Sequence, residues 1–241
     1  MKGKIVRRDE LGNTAVARMY HLFCSQFENV SMNQFVRDLD EKNWVLLLHD
    51  SAGSLAGFSS LHVYDQNVGD KVVTLVYSGD TVVDRGTWSD SALSYNWMGA
   101  IDWLQRQYNK EALYWFLLVS GFRTYRFLPV FSRLFYPRFD EPTPDDVQSL
   151  MHAIAGERFN GLYDRDSGIV RLEAPSILKE EFRGIPEHRL GDPHVAYFAE
   201  RNPGHAQGDE LVCFCELSEA NFTRLGQRML HKGRKLFADE V

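Results

Sequence analysis

The spacing of apolar residues along the chain predicts short strands that alternate with amphipathic helices. The apolar run 72–77 is typical of a buried strand, and the polar stretch 78–84 after it predicts a tight loop. Farther on, apolar residues recur every three or four positions and predict one face of a helix, made of Leu93, Trp97, Ala100, Ile101, Leu104 and Tyr108. Ser89 or Asp90 is its expected N-cap. The first turn of this helix offers unpaired N–H groups to an anion.

The same criteria assign most of the remaining chain. They predict further strands at 4–8, 44–49, 55–64, 113–119, 168–172 and 210–217. They predict further helices at 14–27, 32–39, 127–135, 147–154, 195–200 and 221–236. Asn13 or Thr14 is the expected N-cap of the first helix, and Ser31 with Gln34 matches a capping box before the second. A polar loop is expected at 65–70.

These elements predict an α/β fold with a mixed sheet. The strands at 44–49, 55–64 and 72–77 are joined by polar connections and predict an antiparallel meander. A helix then separates 72–77 from the strand at 113–119, so these two strands are expected to be parallel.

Composition and charge exclude several classes of protein. The chain has 241 residues, 44% of them hydrophobic, and a formal net charge of −6. An acidic balance argues against a nucleic-acid partner, because phosphate contacts call for a basic surface. No apolar run approaches the roughly 20 residues that a spanning helix needs. We expect a cytoplasmic protein without a membrane span.

The three cysteines do not predict a disulfide framework or a metal site. Cys24, Cys213 and Cys215 are too few and odd in number for such a framework, and we interpret them as reduced thiols. Cys213 and Cys215 are expected to share one strand face. No second ligand pair follows them at zinc spacing, so no metal is expected.

The order of elements, β-α-α-β-β-β-α-β-α followed by further strands, resembles the GNAT superfamily of N-acyltransferases over roughly residues 3–139. In that family the fourth strand leads into an Arg-Gly-x-Gly-x-Gly loop that holds the pyrophosphate of coenzyme A. Here Arg85-Gly86-Thr87-Trp88-Ser89-Asp90 keeps the first two residues and replaces two glycines by Trp88 and Asp90. The resemblance implies a GNAT-like, mostly antiparallel sheet flanked by helices. Residues 1–140 are the expected acyltransferase core, and 141–241 an α+β extension that completes the sheet and adds helices.

The resemblance also implies where the acyl donor binds. In the family the fourth and fifth strands splay apart, and the pantetheine arm of the donor pairs with the exposed edge of the fourth. The expected co-substrate is acyl-CoA or an acyl-phosphopantetheine. The expected donor-binding residues are Thr81, Val82, Val83, Arg85, Gly86, Thr87, Trp88, Ser89, Ser91, Arg123 and Arg126.

The same resemblance implies candidate catalytic residues. The family uses a general base on the acceptor side, and a tyrosine after the fifth strand often protonates the departing thiolate. Asp80 is the expected base, with Tyr77 and His62 as alternatives. Asp80 also suits a turn-capping carboxylate, and His62 an ordinary strand histidine. Phe131 occupies the position at which the resemblance implies that tyrosine, and Tyr125 and Tyr136 are nearby in the sequence. The general acid therefore stays unassigned.

The aromatic segment 114–139 has two interpretations. It suits core packing, or it suits an apolar tunnel for a fatty acyl chain with Arg123 or Arg126 meeting phosphate at the mouth, as in GNAT-like enzymes of peptide natural-product pathways.

The sequence thus predicts an acyltransferase that acylates an amine on a small metabolite or peptide. An acyl carrier protein is a further expected partner if the donor is a carrier-bound thioester. The alternatives are a non-catalytic GNAT-like binding module and a scaffold whose region after Pro144 binds other proteins.

Overall fold

A computed structural model describes residues 1–69, 71–87 and 91–238. Its strands are β1 Lys2–Arg7, β2 Phe27–Glu28, β3 Trp44–His49, β4 Leu55–Val68, β5 Lys71–Val83, β6 Leu113–Val119, β7 Tyr163–Asp164, β8 Ile169–Val170, β9 Ile177–Leu178 and β10 Glu210–Leu217. Its helices are α1 Asn13–Gln26, α2 Met32–Asp40, α3 Ala92–Gln107, α4 Phe122–Tyr125, α5 Phe127–Phe131, α6 Asp145–Phe159, α7 Glu180–Arg183, α8 Pro193–Arg201 and α9 Arg224–Leu236.

Eight strands form one mixed sheet in the order β1-β3-β4-β5-β6-β10-β8-β7. All described neighbours in this sheet are antiparallel except β5 and β6, which are parallel because α3 carries the chain from one to the other. The predicted α/β class and mostly antiparallel sheet are confirmed. The chain after residue 140 contributes β10, which pairs with β6 near the middle of the sheet.

Helices cover both faces of the sheet. Alternate residues of β3 separate the two sides: Val45 and Leu47 pack with α1 and α2, whereas Leu46 and Leu48 pack with α3. The helix α6 packs on the α1–α2 side over the other half of the sheet, where it meets Phe116 of β6. The side of the sheet covered by α3 is named the α3 face, and the side covered by α1, α2 and α6 is named the α2/α6 face.

Two predicted loops are strands instead. β4 continues to Val68, and a turn at Gly69 (φ 58°) replaces the predicted polar loop at 65–70. The predicted tight loop at 78–84 is also wrong up to Val83, because β4 supplies a ladder partner as far as Val83. Polar residues fit in this stretch of β5 because they face a cavity rather than the core.

The predicted helix ends are correct only in part. Ser31 caps α2, since its Oγ accepts from the Gln34 N–H at 3.1 Å. Gly12, rather than Asn13 or Thr14, is the N-cap of α1. The predicted caps Ser89 and Asp90 lie outside the described residues, and α3 begins at Ala92.

The aromatic stripe 127–135 does not form one helix. After Phe131 the chain extends and makes isolated bridges to Phe222 and Phe214, because backbone partners from β10 and the loop after it replace helical hydrogen bonds. Leu134 is 52% exposed. Among the described residues, no helix combines the length and apolar character needed to cross a membrane.

Candidate active site at the divergent strands

The parallel strands β5 and β6 pair over only four residues and then separate. Their register runs from Leu75 opposite Tyr114 to Ser78 opposite Leu117. Where the pairing ends, the indole N–H of Trp115 donates to Ser78 Oγ at 2.8 Å. β5 then follows β4 as far as Val83, whereas β6 ends at Val119. The edge of β5 beyond Ser78 is therefore not paired with β6.

A cavity of about 860 Å³ occupies the gap between these strands. Leu93 and Trp97 of α3 line it from one face of the sheet, and Asp38 of α2 and Arg158 of α6 line it from the other. The cavity therefore passes through the sheet and opens both faces to one space. A two-sided channel allows two substrates to meet without sharing an entrance.

The three residues of β5 predicted to receive the donor arm, Thr81, Val82 and Val83, have different surroundings. The N–H of Asp84 donates to Ala56 O of β4 at 2.7 Å, while the carbonyl of Val83 accepts from the Gln26 side chain at 2.6 Å. Val82 is buried in the core on the α2/α6 face. Thr81 lines the cavity, and its Oγ1 lies 2.8 Å from Ser59 Oγ. Of the three residues predicted to receive the donor arm, Thr81 is the one on the cavity wall.

Asp80 lies on the cavity wall just beyond the point of separation. The register of β4 and β5 shifts between Ser59 and Leu61, so Gly79 and Asp80 form a bulge that redirects the chain. Burial raises the pKa of Asp80 to about 7, with Asp38 adding to the rise and the Lys42 ammonium opposing it. A carboxyl with a pKa near 7 is suited to proton transfer at neutral pH. The turn-capping alternative does not apply, because Asp80 lies within a strand.

Gly79 permits the close approach of Lys42 to the strand. A Cβ at position 79 would lie 2.7 Å from both Lys42 Cε and Ser60 Oγ. Lys42 is buried, and its Nζ donates to the Asp38 carbonyl at 2.6 Å. Burial lowers the pKa of Lys42. The Lys42 amine thus lies beside the bulge that carries Asp80.

Tyr77 lies between two cations on the α2/α6 face. The Arg158 guanidinium carbon is 4.0 Å from the Tyr77 ring centroid, and Lys42 Nζ is 5.4 Å from it. Arg158 Nη2 also forms an ion pair with Glu41 at 3.1 Å. Burial raises the pKa of Tyr77, so its hydroxyl stays protonated at neutral pH. Tyr77 therefore presents a protonated hydroxyl and an aromatic ring to the cavity.

His62 is neutral in this environment. Burial and the nearby charges of Arg158 and Lys42 lower its pKa to about 4. Its Nδ1 lies 3.5 Å from Arg158 Nη1, and its ring stacks on Tyr64 with centroids 4.5 Å apart. His62 lines the cavity beside Tyr77.

Aromatic side chains line the cavity on the α3 face. The rings of Trp97 and Trp115 lie 4.5 Å apart, and Phe127 lies on the same wall. Arg123 is at this end of the cavity, and its Nη1 donates to the Phe182 carbonyl at 3.0 Å. This end of the cavity is therefore lined by aromatic side chains together with the guanidinium of Arg123.

Several predicted site residues lie away from the cavity. Tyr125 is fully buried and donates to the Pro137 carbonyl at 2.8 Å, and Tyr136 pairs with Phe214 beside β10. Arg126 forms an ion pair with Asp192 at 3.1 Å. None of these three residues lines the cavity, because Tyr125 packs against Phe198 of α8, Arg126 is held by Asp192 just before α8, and the chain after α5 runs beside β10 at Tyr136.

The predicted phosphate loop is described only in part. Arg85 and Gly86 are exposed; the Arg85 guanidinium lies 5.4 Å from the Phe182 ring centroid, and the Gly86 N–H donates to Asp84 Oδ1 at 2.9 Å. Thr87 ends a short 3₁₀ turn, and Ser91 precedes α3 without a side-chain capping bond. Trp88 and Ser89 lie outside the described residues.

Three further residues line the cavity that the sequence did not point to: Lys42, Arg158 and Glu210. Glu210 carried a usable signal, since a carboxylate at the start of an apolar strand is unusual unless it faces a polar site. Lys42 and Arg158 carried none, because charged residues at helix ends are normally solvated. Within the described part of the chain, no group of three or more metal-ligating side chains is arranged to hold a metal ion.

Comparisons with known proteins find partial likenesses in structure. No family model matches the chain, and no curated protein matches it. A probable N-acyltransferase from Enterococcus faecalis V583 has a TM-score of 0.40 at 12% identity, covering 56% of this chain and 33% of that one. The GNAT family N-acetyltransferase YhbS from Escherichia coli, in complex with CoA, has a TM-score of 0.37 at 18% identity, covering 48% of this chain and 62% of that one. Glucosamine-6-phosphate N-acetyltransferase from Arabidopsis thaliana has a TM-score of 0.35 at 12% identity, covering 48% of this chain and 82% of that one.

The chain spans a third of the length of the first of these proteins and less than two thirds of the second. Each likeness covers about half of this chain. The element order and the parallel pair that separates after four residues agree with the GNAT-like fold predicted from the sequence.

Proposed function

We propose that this protein is an N-acyltransferase that moves an acyl group from a thioester to an amine. The observation that carries the proposal is the gap between β5 and β6, with Asp80 on its wall and a cavity that opens to both faces of the sheet. A thioester has a slender arm that fits between two separated strands. An amine needs a base at the place where it meets the thioester carbonyl.

The donor in this proposal enters from the α3 face. Its pantetheine arm lies along β5 near Thr81, and its acyl group occupies the space beside Trp97, Trp115 and Phe127. Arg123, at the same end, pairs with a donor phosphate through charge-assisted hydrogen bonds. Both acyl-CoA and an acyl-phosphopantetheine on a carrier protein meet these requirements. The aromatic wall favours an acyl group longer than acetyl.

The acceptor enters from the α2/α6 face, where the cavity carries charge of both signs. Asp80 takes a proton from the acceptor ammonium and passes it to water, and the neutral amine then attacks the thioester carbonyl carbon. The tetrahedral intermediate gives a second nitrogen proton to Asp80 and breaks its C–S bond, which releases an amide and a thiolate that takes up one proton to become a thiol. A pKa near 7 leaves much of Asp80 ionised and ready for this step at neutral pH.

Binding of the donor tests this proposal. We expect isothermal titration with CoA, acetyl-CoA and octanoyl-CoA to release heat, and each ligand that binds to raise the melting temperature. Octanoyl-CoA is expected to bind more tightly than acetyl-CoA, because it buries apolar area against the aromatic wall. A titration with octanoyl-loaded acyl carrier protein distinguishes the two kinds of donor. No heat and no thermal shift with any of the four ligands would contradict the proposal.

A non-catalytic binding module is the second candidate. The observation in its favour is the sequence at 85–90, where Trp88 and Asp90 stand in place of the family's glycines, which let the backbone approach a phosphate closely. A module of this kind would bind CoA or a partner without forming any amide. Donor binding without turnover over a broad panel of amines supports this candidate.

A further inference from the structure

Glu210 lies across the gap from Asp80, at the start of β10. The register of β10 with β6 pairs Leu211 with Val119, and one step farther this register brings Glu210 beside Ser120. Both Glu210 and Ser120 line the cavity. Asp80 belongs to β5, and Glu210 belongs to β10, which pairs with β6 on the other side of the gap, so the two residues line the cavity from opposite sides.

The side chain of Glu210 is directed to the α2/α6 face. Side chains alternate along a strand, and Val212, two residues later, packs beneath α6. The Glu210 carboxyl forms no hydrogen bond or ion pair with the side chains in the described ranges 1–69, 71–87 and 91–238. Burial raises its pKa to about 8, and the nearby Asp80 carboxylate adds to the rise. Glu210 therefore retains its proton at neutral pH.

The transfer reaction needs a proton donor as well as a base. When the C–S bond of the tetrahedral intermediate breaks, the sulfur leaves as an alkyl thiolate, and a proton delivered to it lowers the barrier. The GNAT resemblance places a tyrosine in this role, but the chain has Phe131 there. The hydroxyl of Tyr125 is directed to Pro137 O, away from the cavity.

We propose that the Glu210 carboxylic acid protonates the departing thiolate. This inference rests on the proposed acyl transfer and assigns its missing acid. The amine nitrogen bonds to the carbonyl carbon, its proton passes to Asp80, the C–S bond breaks, and the sulfur takes the proton of Glu210. Asp80 returns that proton to the ionised Glu210, and the proton that Asp80 first took from the ammonium has passed to water, so the cycle releases one proton in total.

Other ionisable groups face the same space and must be separated from Glu210 in any test. Asp38 of α2, the adjoining Glu41 and Lys42, His62 of β4, Tyr77 of β5, and Glu157 and Arg158 of α6 all line the cavity. A pH profile alone would mix their titrations. A change in the leaving group isolates the acid, because it alters the need for a proton on sulfur and leaves the titrating groups unchanged.

The test compares two donors in wild type and in Glu210→Gln. One donor is octanoyl-CoA, and the other is an octanoyl aryl thioester that carries the same pantothenate arm and whose thiolate leaves without a proton. Hydroxylamine, which is unprotonated at neutral pH, serves as acceptor, so Asp80 has no ammonium proton to remove before the attack. We expect Glu210→Gln to lower kcat about 100-fold with octanoyl-CoA and less than about threefold with the aryl thioester.

A matched control is Glu216→Gln, a half-buried glutamate on the same strand that is absent from the cavity lining. It is expected to match wild type with both donors. Equal losses of kcat with the two donors in Glu210→Gln, or no loss with either, would overturn the role of Glu210 while leaving acyl transfer intact. No hydroxamate from either donor with the wild-type protein would instead overturn the proposed function itself.

Discussion

Replacement of Asp80 by asparagine is expected to lower turnover about 100-fold or more and to leave the fold intact. Asparagine has nearly the same shape and does not accept a proton from an ammonium group. The comparison is made with an amine acceptor that is protonated at neutral pH, and kcat/KM is measured beside the melting temperature. The matched control is Asp65→Asn on β4, whose carboxylate is paired with Lys110 outside the cavity. This control is expected to keep wild-type turnover.

The stability of the wild-type protein has a predicted dependence on pH that the same variant should lack. Folding raises the pKa of Asp80 from its ordinary value of 3.8 to about 7, so the native state binds more protons than the unfolded state between these values. Native stability contributed by this group therefore falls as pH rises through that window. Asp80→Asn should lack this loss and be at least as stable as wild type above pH 7. Equal falls in activity and melting temperature would contradict a catalytic role for Asp80.

Replacement of Gly233 by alanine is expected to destabilise the fold by about 2–3 kcal/mol, because α3 and α9 touch backbone to backbone. A Cβ at Gly233 would overlap the Tyr95 carbonyl, and it would lie 2.6 Å from the backbone nitrogen of Gly99. A Cβ at Gly99 would lie 2.7 Å from the carbonyl group of Gly233. Neither contact is relieved by a side-chain rotation, so the helices must move apart.

The measurement for this second variant is urea unfolding beside a matched helical glycine. At Gly156 of α6, a Cβ would have no heavy atom of another described element within 4 Å, so Gly156→Ala should stabilise the protein by about 0.5–1 kcal/mol. Opposite signs for the two substitutions are the expected result. Similar effects at both positions would show that the backbones of α3 and α9 are not in close contact.

The order of elements was predictable from the sequence because most of it depends on local patterns. The helix α3 has a periodic apolar pattern, and the strand β6 has a continuous apolar run. Both patterns predict the element without knowledge of what packs against it. The stretch after Ser78 was not predictable in the same way. Its polar residues suit a loop until β4 is present to pair with them and the bulge at Gly79 is seen.

The candidate site was predictable only where it lies on β4 and β5. Asp80, Tyr77, His62 and Thr81 were identified from the resemblance, and all of them line the cavity. Glu210 is 130 positions from Asp80 in the sequence, and Arg158 reaches the site from α6, so tertiary packing alone brings them together. Tyr125 failed as a candidate because proximity in sequence to β6 does not decide which side of α4 faces the gap.

The proposed roles of Asp80 and Glu210 both depend on one geometric claim, that a thioester arm occupies the space between β5 and β6. The most direct measurement is a crystal structure of the protein with a thioether analogue of octanoyl-CoA, which binds as a donor but does not transfer its acyl chain. The expected result places the pantetheine arm along β5 at residues 79–83, with its sulfur between Asp80 and Ser120. An arm bound elsewhere, or strands that close on each other beyond Ser78, would contradict the account.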